Sequence, residues 1–151
     1  MHILFPVMRL KNNKKILASL LKTTQLGQIG IQSVLDTSMR PGLRKALESQ
    51  LHEYDAIETE AHGIASRRGW EIPELYPGTG LFTDMMIRMK LGGRNTDSQI
   101  AGMLIRNNTK DMIRGIRNRN QISGIDEPLQ ILSQKLLDCE TASIRQMQNF
   151  L

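Results

Sequence analysis

Glu58 and His62 stand four apart in the stretch "QLHEYDAIETEAH", so on a helix they share a face, the spacing at which a carboxylate and an imidazole can hold one metal ion. Glu140, in "LLDCETAS", is the acid that would have to join them from a distant part of the chain. A pair of irons in a helical bundle asks for more, namely a Glu from each of two helices and a Glu-x-x-His pair from each of the other two. Here the residue three beyond Glu58 is Ala61, and three beyond Glu140 is Ser143. The segment from Asn13 to Leu35 has no acid, and its polar middle is Thr23, Thr24, Gln25, Gln28 and Gln32, neutral groups that ligate iron poorly. At about 100° per residue, Glu58 falls about 60° from the middle of its apolar seam and His62 about 100°. The sequence therefore assigns no catalytic residue, no cofactor and no metal ligand. A degenerate site of Glu58, His62 and Glu140, serving metal-dependent redox chemistry, is the alternative.

Other chemistry has less support. A Cys–His nucleophile would need Cys139 beside His52 or His62, yet Cys139 occupies an apolar seam position, where an inert buried thiol is the ordinary occupant. The glycine-containing "GTG" and "LGGRNTD" follow no strand and lack the lysine–Ser/Thr signature of a phosphate loop. Arg106, Lys110, Arg114 and Arg117 form a basic stripe that could track phosphates, so nucleic-acid or anion binding is a second alternative. No aromatic residue interleaves with the stripe to stack bases, which favours a solvated face.

The elements that would carry these residues are helices. Only 4% of the 151 residues are aromatic and nine are Met, a composition suited to helix–helix packing from Leu, Ile and Met. Ile16, Leu20, Gly27, Ile31 and Val34 mark a helix over about 13–36. Leu43, Leu47, Gln50, Tyr54, Ile57, Ala61 and Ile64 step by four and three along a second, which "RRG" ends with Gly69 as C-cap. A third opens at Thr96 or Asp97 and buries Ala101, Ile105, Asn108, Met112 and Ile116, leaving Asp97 and Asp111 outside its apolar face. Asp126 caps a fourth, with the stripe Leu129, Leu132, Leu136, Cys139, Ser143, Met147 and Phe150.

Connections run short, long, short, and the long one, 70–96, has room for a short amphipathic helix in "LFTDMMIRMKLGG". The expected fold is an all-α antiparallel four-helix bundle over 13–151, of ferritin-like topology with a long crossover between helices two and three. Residues 1–12 read as an N-terminal arm.

"LRKALESQLHEYDAIETEAHGIASRRGW", "QIAGMLIRNNTKDMIRGI" and "LSQKLLDCETASIRQMQNFL" resemble an uncharacterised ferritin-like family of clostridial (Firmicutes) bacteria, over roughly residues 17–151. The resemblance implies the bundle fold and brings no catalytic residues. Ferritin-like spore-coat proteins are a more distant similarity, of architecture alone.

The single cysteine suits a reducing compartment, the start of the chain lacks the order of a secretory signal, and no stretch approaches about 20 apolar residues. A cytoplasmic protein without a membrane span is expected. Net charge is +5, but it is unevenly placed: Ala46–His62 carries five acids and no Lys or Arg, whereas Asp97–Asn120 carries five Lys or Arg against two acids. Opposite signs on separate helices suit self-association as a homodimer, or contact with another protein, so a structural or protein-interaction role is the leading expectation.

Overall fold

The computed structural model describes the backbone of residues 4–73, 96–121 and 126–151, and the side chains of 13–73, 96–120 and 126–151 among them. Four helices make up the described structure: α1 (Leu4–Leu35), α2 (Pro41–Arg67), α3 (Asp97–Gln121) and α4 (Glu127–Gln148). No strand occurs among the described residues, so the described structure is all-α, as composition predicts. No helix among them is long and apolar enough to cross a membrane. The expected short helix in "LFTDMMIRMKLGG" lies outside the described residues.

The helix ends follow local chemistry. Pro41 opens α2, where a missing N–H costs nothing. Its far end closes with Gly69 at φ +66°, donating to Ser66 O at 3.2 Å, and with Trp70 N–H donating to Ala65 O at 2.9 Å. This paired closure requires a left-handed residue, which is why glycine stands there. Thr96 and Gln99 cap each other's backbone N–H groups at the start of α3, at 3.4 and 3.3 Å. Asp126 caps α4 through Leu129 N–H at 3.2 Å, and its other oxygen pairs with Arg68 at the end of α2. Arg68 in turn lies 5.0 Å over the Trp70 ring.

Contacts along the helices fix their directions. Gln28 meets Asp55 and the Arg44 guanidinium reaches Leu35 O and Thr37 O, so α1 and α2 are antiparallel. Gln50 meets Ser143 while Glu60 meets Lys135, so α2 and α4 are antiparallel too. Asn108 with Ser143 and Arg119 with Gln134 set the same relation for α3 and α4. Asn118 donating to Ser19 ties α3 to α1. Arg40 and Asp97, 3.8 Å apart, hold the starts of α2 and α3 at one end.

The core is built from the predicted seams. Every member of the α2 seam from Leu43 to Ile64 is buried, as are Leu129, Leu132, Leu136, Cys139, Ser143 and Met147 of α4. Two expectations need revision. Helix α1 begins at Leu4, not near Asn13, because nothing in "LFPVMRLKNN" stops it; Pro6 falls in the first turn, where its backbone nitrogen has no partner to lose. The buried face of α3 is turned by about 70° from the one expected: Ile100, Leu104 and Asp111 are buried, while Ile105, Met112 and Ile116 are only partly so. Apolar side chains at the seam's edge pull the apparent apolar face away from the buried one.

Gly27 sits on the predicted α1 stripe because the Tyr54 ring occupies its side-chain space. A β-carbon built there would lie 2.6 Å from Tyr54 Cζ and within 2.9 Å of both neighbouring ring carbons. Gly27→Ala is expected to lower stability by about 1–3 kcal/mol, the usual cost of overpacking a filled core, read as a lower urea midpoint at unchanged m-value. A variant as stable as the parent would show that the ring has room to withdraw.

Candidate functional site

Midway along the bundle the seams stop being aliphatic. Gln50 and Tyr54 from α2, Asn108 from α3 and Ser143 from α4 are all buried, at 4%, 1%, 5% and 0% exposure. Each polar atom must then find a partner in the protein, since an unpaired one costs about 1–3 kcal/mol. They form a directional chain. The Tyr54 hydroxyl donates to Asn108 Oδ1 at 3.3 Å, and Asn108 Nδ2 donates to Ser143 Oγ at 2.7 Å. Ser143 O–H donates to Gln50 Oε1 at 2.7 Å, and Gln50 Nε2 passes the chain out to Gln146 at 3.1 Å. Burial raises the Tyr54 phenol well above its ordinary range, so every member of the chain is neutral. On the α1 side, Thr24 donates to Leu20 O at 2.7 Å and Gln28 to Asp55 at 2.7 Å. This relay can fix the register of three helices, and the Ser143 hydroxyl in it donates to a neutral amide oxygen, which cannot activate it as a base would.

Two acids lie beside the relay. Glu140 is 1% exposed and neither carboxylate oxygen has a hydrogen-bond partner among the described residues. Burial, with the nearby Asp111 charge adding to it, pushes its carboxyl up to about 9, against the pull of Arg114. Asp111 is buried, contrary to the expectation that it would lie outside the apolar face of α3, because the true buried face of that helix runs through it. Burial raises it to about 6, while Arg114 (3.9 Å away) and Lys110 hold it lower than it would otherwise stand.

Glu140 borders a cavity of about 20 Å³ between α1, α3 and α4. That is room for one small occupant.

Comparison of the chain with models of protein families, with curated proteins and with solved structures finds no match.

The candidate ligands expected from spacing are not assembled. Glu58 and His62 are half-buried on α2, and among the described residues no three His, Cys, Asp or Glu side chains come together as a metal-holding group. Glu140 is thus not joined to that pair. Cys139 is buried, and burial together with a hydrogen bond to Glu53 pushes its thiol far above the range of a reactive thiolate. Its acidic neighbour is Glu53 where a Cys–His pair would need His52 or His62. Arg106, Lys110, Arg114 and Arg117 are all exposed on the outer side of α3, as their spacing predicts, with Ile113 exposed among them.

The nearness of Asp111 to Glu140 escapes a reading of one helix at a time. A signal for Glu140 did exist: it lies four beyond Leu136 and three before Ser143, on the apolar stripe of α4.

Proposed function

We propose that the chain is a ferritin-like bundle, related to the uncharacterised clostridial family, that works through its helix surfaces as a structural or protein-interaction module in the cytoplasm. The observation that carries this reading is the neutral relay of Tyr54, Asn108, Ser143 and Gln50, which fills the middle of the bundle with groups that satisfy one another. In a di-iron bundle the same depth is occupied by carboxylates and imidazoles. The ferritin-like topology is supported by the antiparallel pairs α1/α2, α2/α4 and α3/α4 and by the shared end of α2 and α3 at Arg40 and Asp97. With those starts together, α2 ends at the opposite end of the bundle from the start of α3.

Self-association as a homodimer is the form of interaction we propose. The exposed acids Glu48, Glu53, Asp55 and Glu60 of α2 complement the exposed bases Arg106, Lys110, Arg114 and Arg117 of α3. Pairs of this kind steer and orient copies more than they hold them, and salt screens them. Sedimentation equilibrium is expected to show a dimer at low salt that shifts toward monomer at high salt, and at low salt in Arg114→Glu. A monomer at every salt concentration would remove the homodimer.

A further inference from the structure

Where α1 and α3 meet, bases from both helices turn toward the same side of the molecule. Asn118 donates to Ser19 Oγ at 2.9 Å between these two antiparallel helices, and both residues are half-buried. At about 100° per residue, the path around α1 from buried Ile16 and Thr23 through Ser19 continues outward by about 40° to Lys15 and about 60° to Lys22. Around α3, the path from buried Leu104 and Asp111 through Asn118 continues by about 40° to Arg114, about 80° to Lys110 and about 100° to Arg117. All five bases are exposed. With Ser19 beside Asn118, Lys22 stands level with the turn between Arg114 and Arg117, so the two rows make one patch. Little offsets it: Asn13–Leu35 has no acid, and Ser98–Asn120 has only Asp111, which is buried and 3.9 Å from Arg114.

We propose that this two-helix face binds the phosphate backbone of duplex nucleic acid without reading its sequence. Like charges gathered on one side, with a single buried acid against them, are the electrostatic footprint of a polyanion site. From Lys110 to Arg117 the α3 row runs about 10 Å, and a duplex presents a charge about every 1.7 Å of its axis, so each base can meet a phosphate. A duplex needs no stacking platform. The lack of aromatic side chains among these bases therefore counts against a single-strand groove and not against this partner. Ile113 is the one large apolar side chain exposed on α3 among the described residues, too little to enter a bilayer, so an anionic lipid surface is the poorer fit. The proposal does not rest on the homodimer. Lys15 and Lys22 take no part in that reading, while the α3 bases serve both, so a bound duplex competes with a second copy.

The test is fluorescence anisotropy of a labelled mixed-sequence DNA duplex titrated with the full chain, at salt from about 50 to about 200 mM. Five phosphate contacts give a slope of log affinity on log salt of about −4.5, hence a loss of about 500-fold across that range. Lys15→Gln with Lys22→Gln, and separately Lys110→Gln with Arg117→Gln, should each weaken binding at least about tenfold and make the slope shallower by about two. Lys45→Gln with Arg145→Gln, on α2 and α4 away from the face, makes the same change in net charge and should cost under about twofold, since charges beyond about 10 Å are screened. All six substituted side chains are exposed, so folding is not at stake. No binding at the lowest salt, equal losses in the α2/α4 control, or affinity that depends on the duplex sequence would each overturn the proposal. Tighter binding to phosphatidylserine vesicles than to duplex at equal phosphate would overturn it too, in favour of a membrane surface. Sedimentation of the same variants without DNA reads the homodimer independently.

Discussion

Replacing Asn108 by leucine is expected to lower the unfolding free energy by about 2–5 kcal/mol, because two buried polar groups lose a partner at about 1–3 kcal/mol each. The Tyr54 hydroxyl would have no acceptor and Ser143 Oγ no donor, both in a region closed to water. The loss is specific to the hydroxyl. Adding Tyr54→Phe to the leucine variant should recover part of the stability, since removing both partners of a buried bond is far milder than removing one. Urea unfolding of the two single variants and the double variant measures this coupling. Additive losses would mean that Tyr54 and Asn108 do not depend on one another.

Raising the pH from about 5 to about 9 in chelator-containing buffer is expected to drain stability by several kcal/mol, at most about 1.4 kcal/mol per pH unit for each group involved. The direction follows from Glu140, whose carboxyl stands at about 9 in the folded chain against an ordinary 4.5. Between those values the folded state keeps a proton that the unfolded chain has released. The contribution is therefore fully present below about 4.5, falls as pH rises, and is exhausted above about 9. Asp111, raised from 3.8 to about 6, adds a second fall of the same sign over its own narrower window. Glu140→Gln should flatten the curve above about pH 6 and leave the variant more stable than the parent at alkaline pH. A parent curve that is flat from neutral to alkaline pH, or an unchanged slope in the glutamine variant, would show that Glu140 has a partner in solution.

How far the sequence reveals this molecule depends on whether one helix suffices to decide the point. The α2 seam from Leu43 to Ile64 is legible because burial on one side writes itself as steps of three and four. Gly69, Thr96 and Asp126 are legible because caps are local chemistry. Gly27 shows on the α1 stripe, but its reason, the Tyr54 ring, belongs to another helix. The same holds for the candidate site. Gln50, Asn108 and Ser143 can be placed on buried faces by counting, whereas their hydrogen bonds to one another require the packed register of three helices. Asp111 was hidden twice, by its charge, which argues for solvent, and by Ile105, Met112 and Ile116, which pull the apparent apolar face of α3 away from it. Glu58 and His62 have the opposite history. Their spacing suggests chemistry, and the fold leaves them on α2 without further ligands gathered around them among the described residues.

That the centre of the bundle is a closed, uncharged relay unable to hold two transition-metal ions is tested most directly by loading. Protein purified without chelator, then offered iron(II), manganese(II) or zinc(II) anaerobically in excess and desalted, would be assayed by elemental analysis. The relay predicts well under one such ion per chain, unchanged by Asn108→Leu. Two ions per chain, retained through desalting and lost in Glu140→Gln, would contradict it.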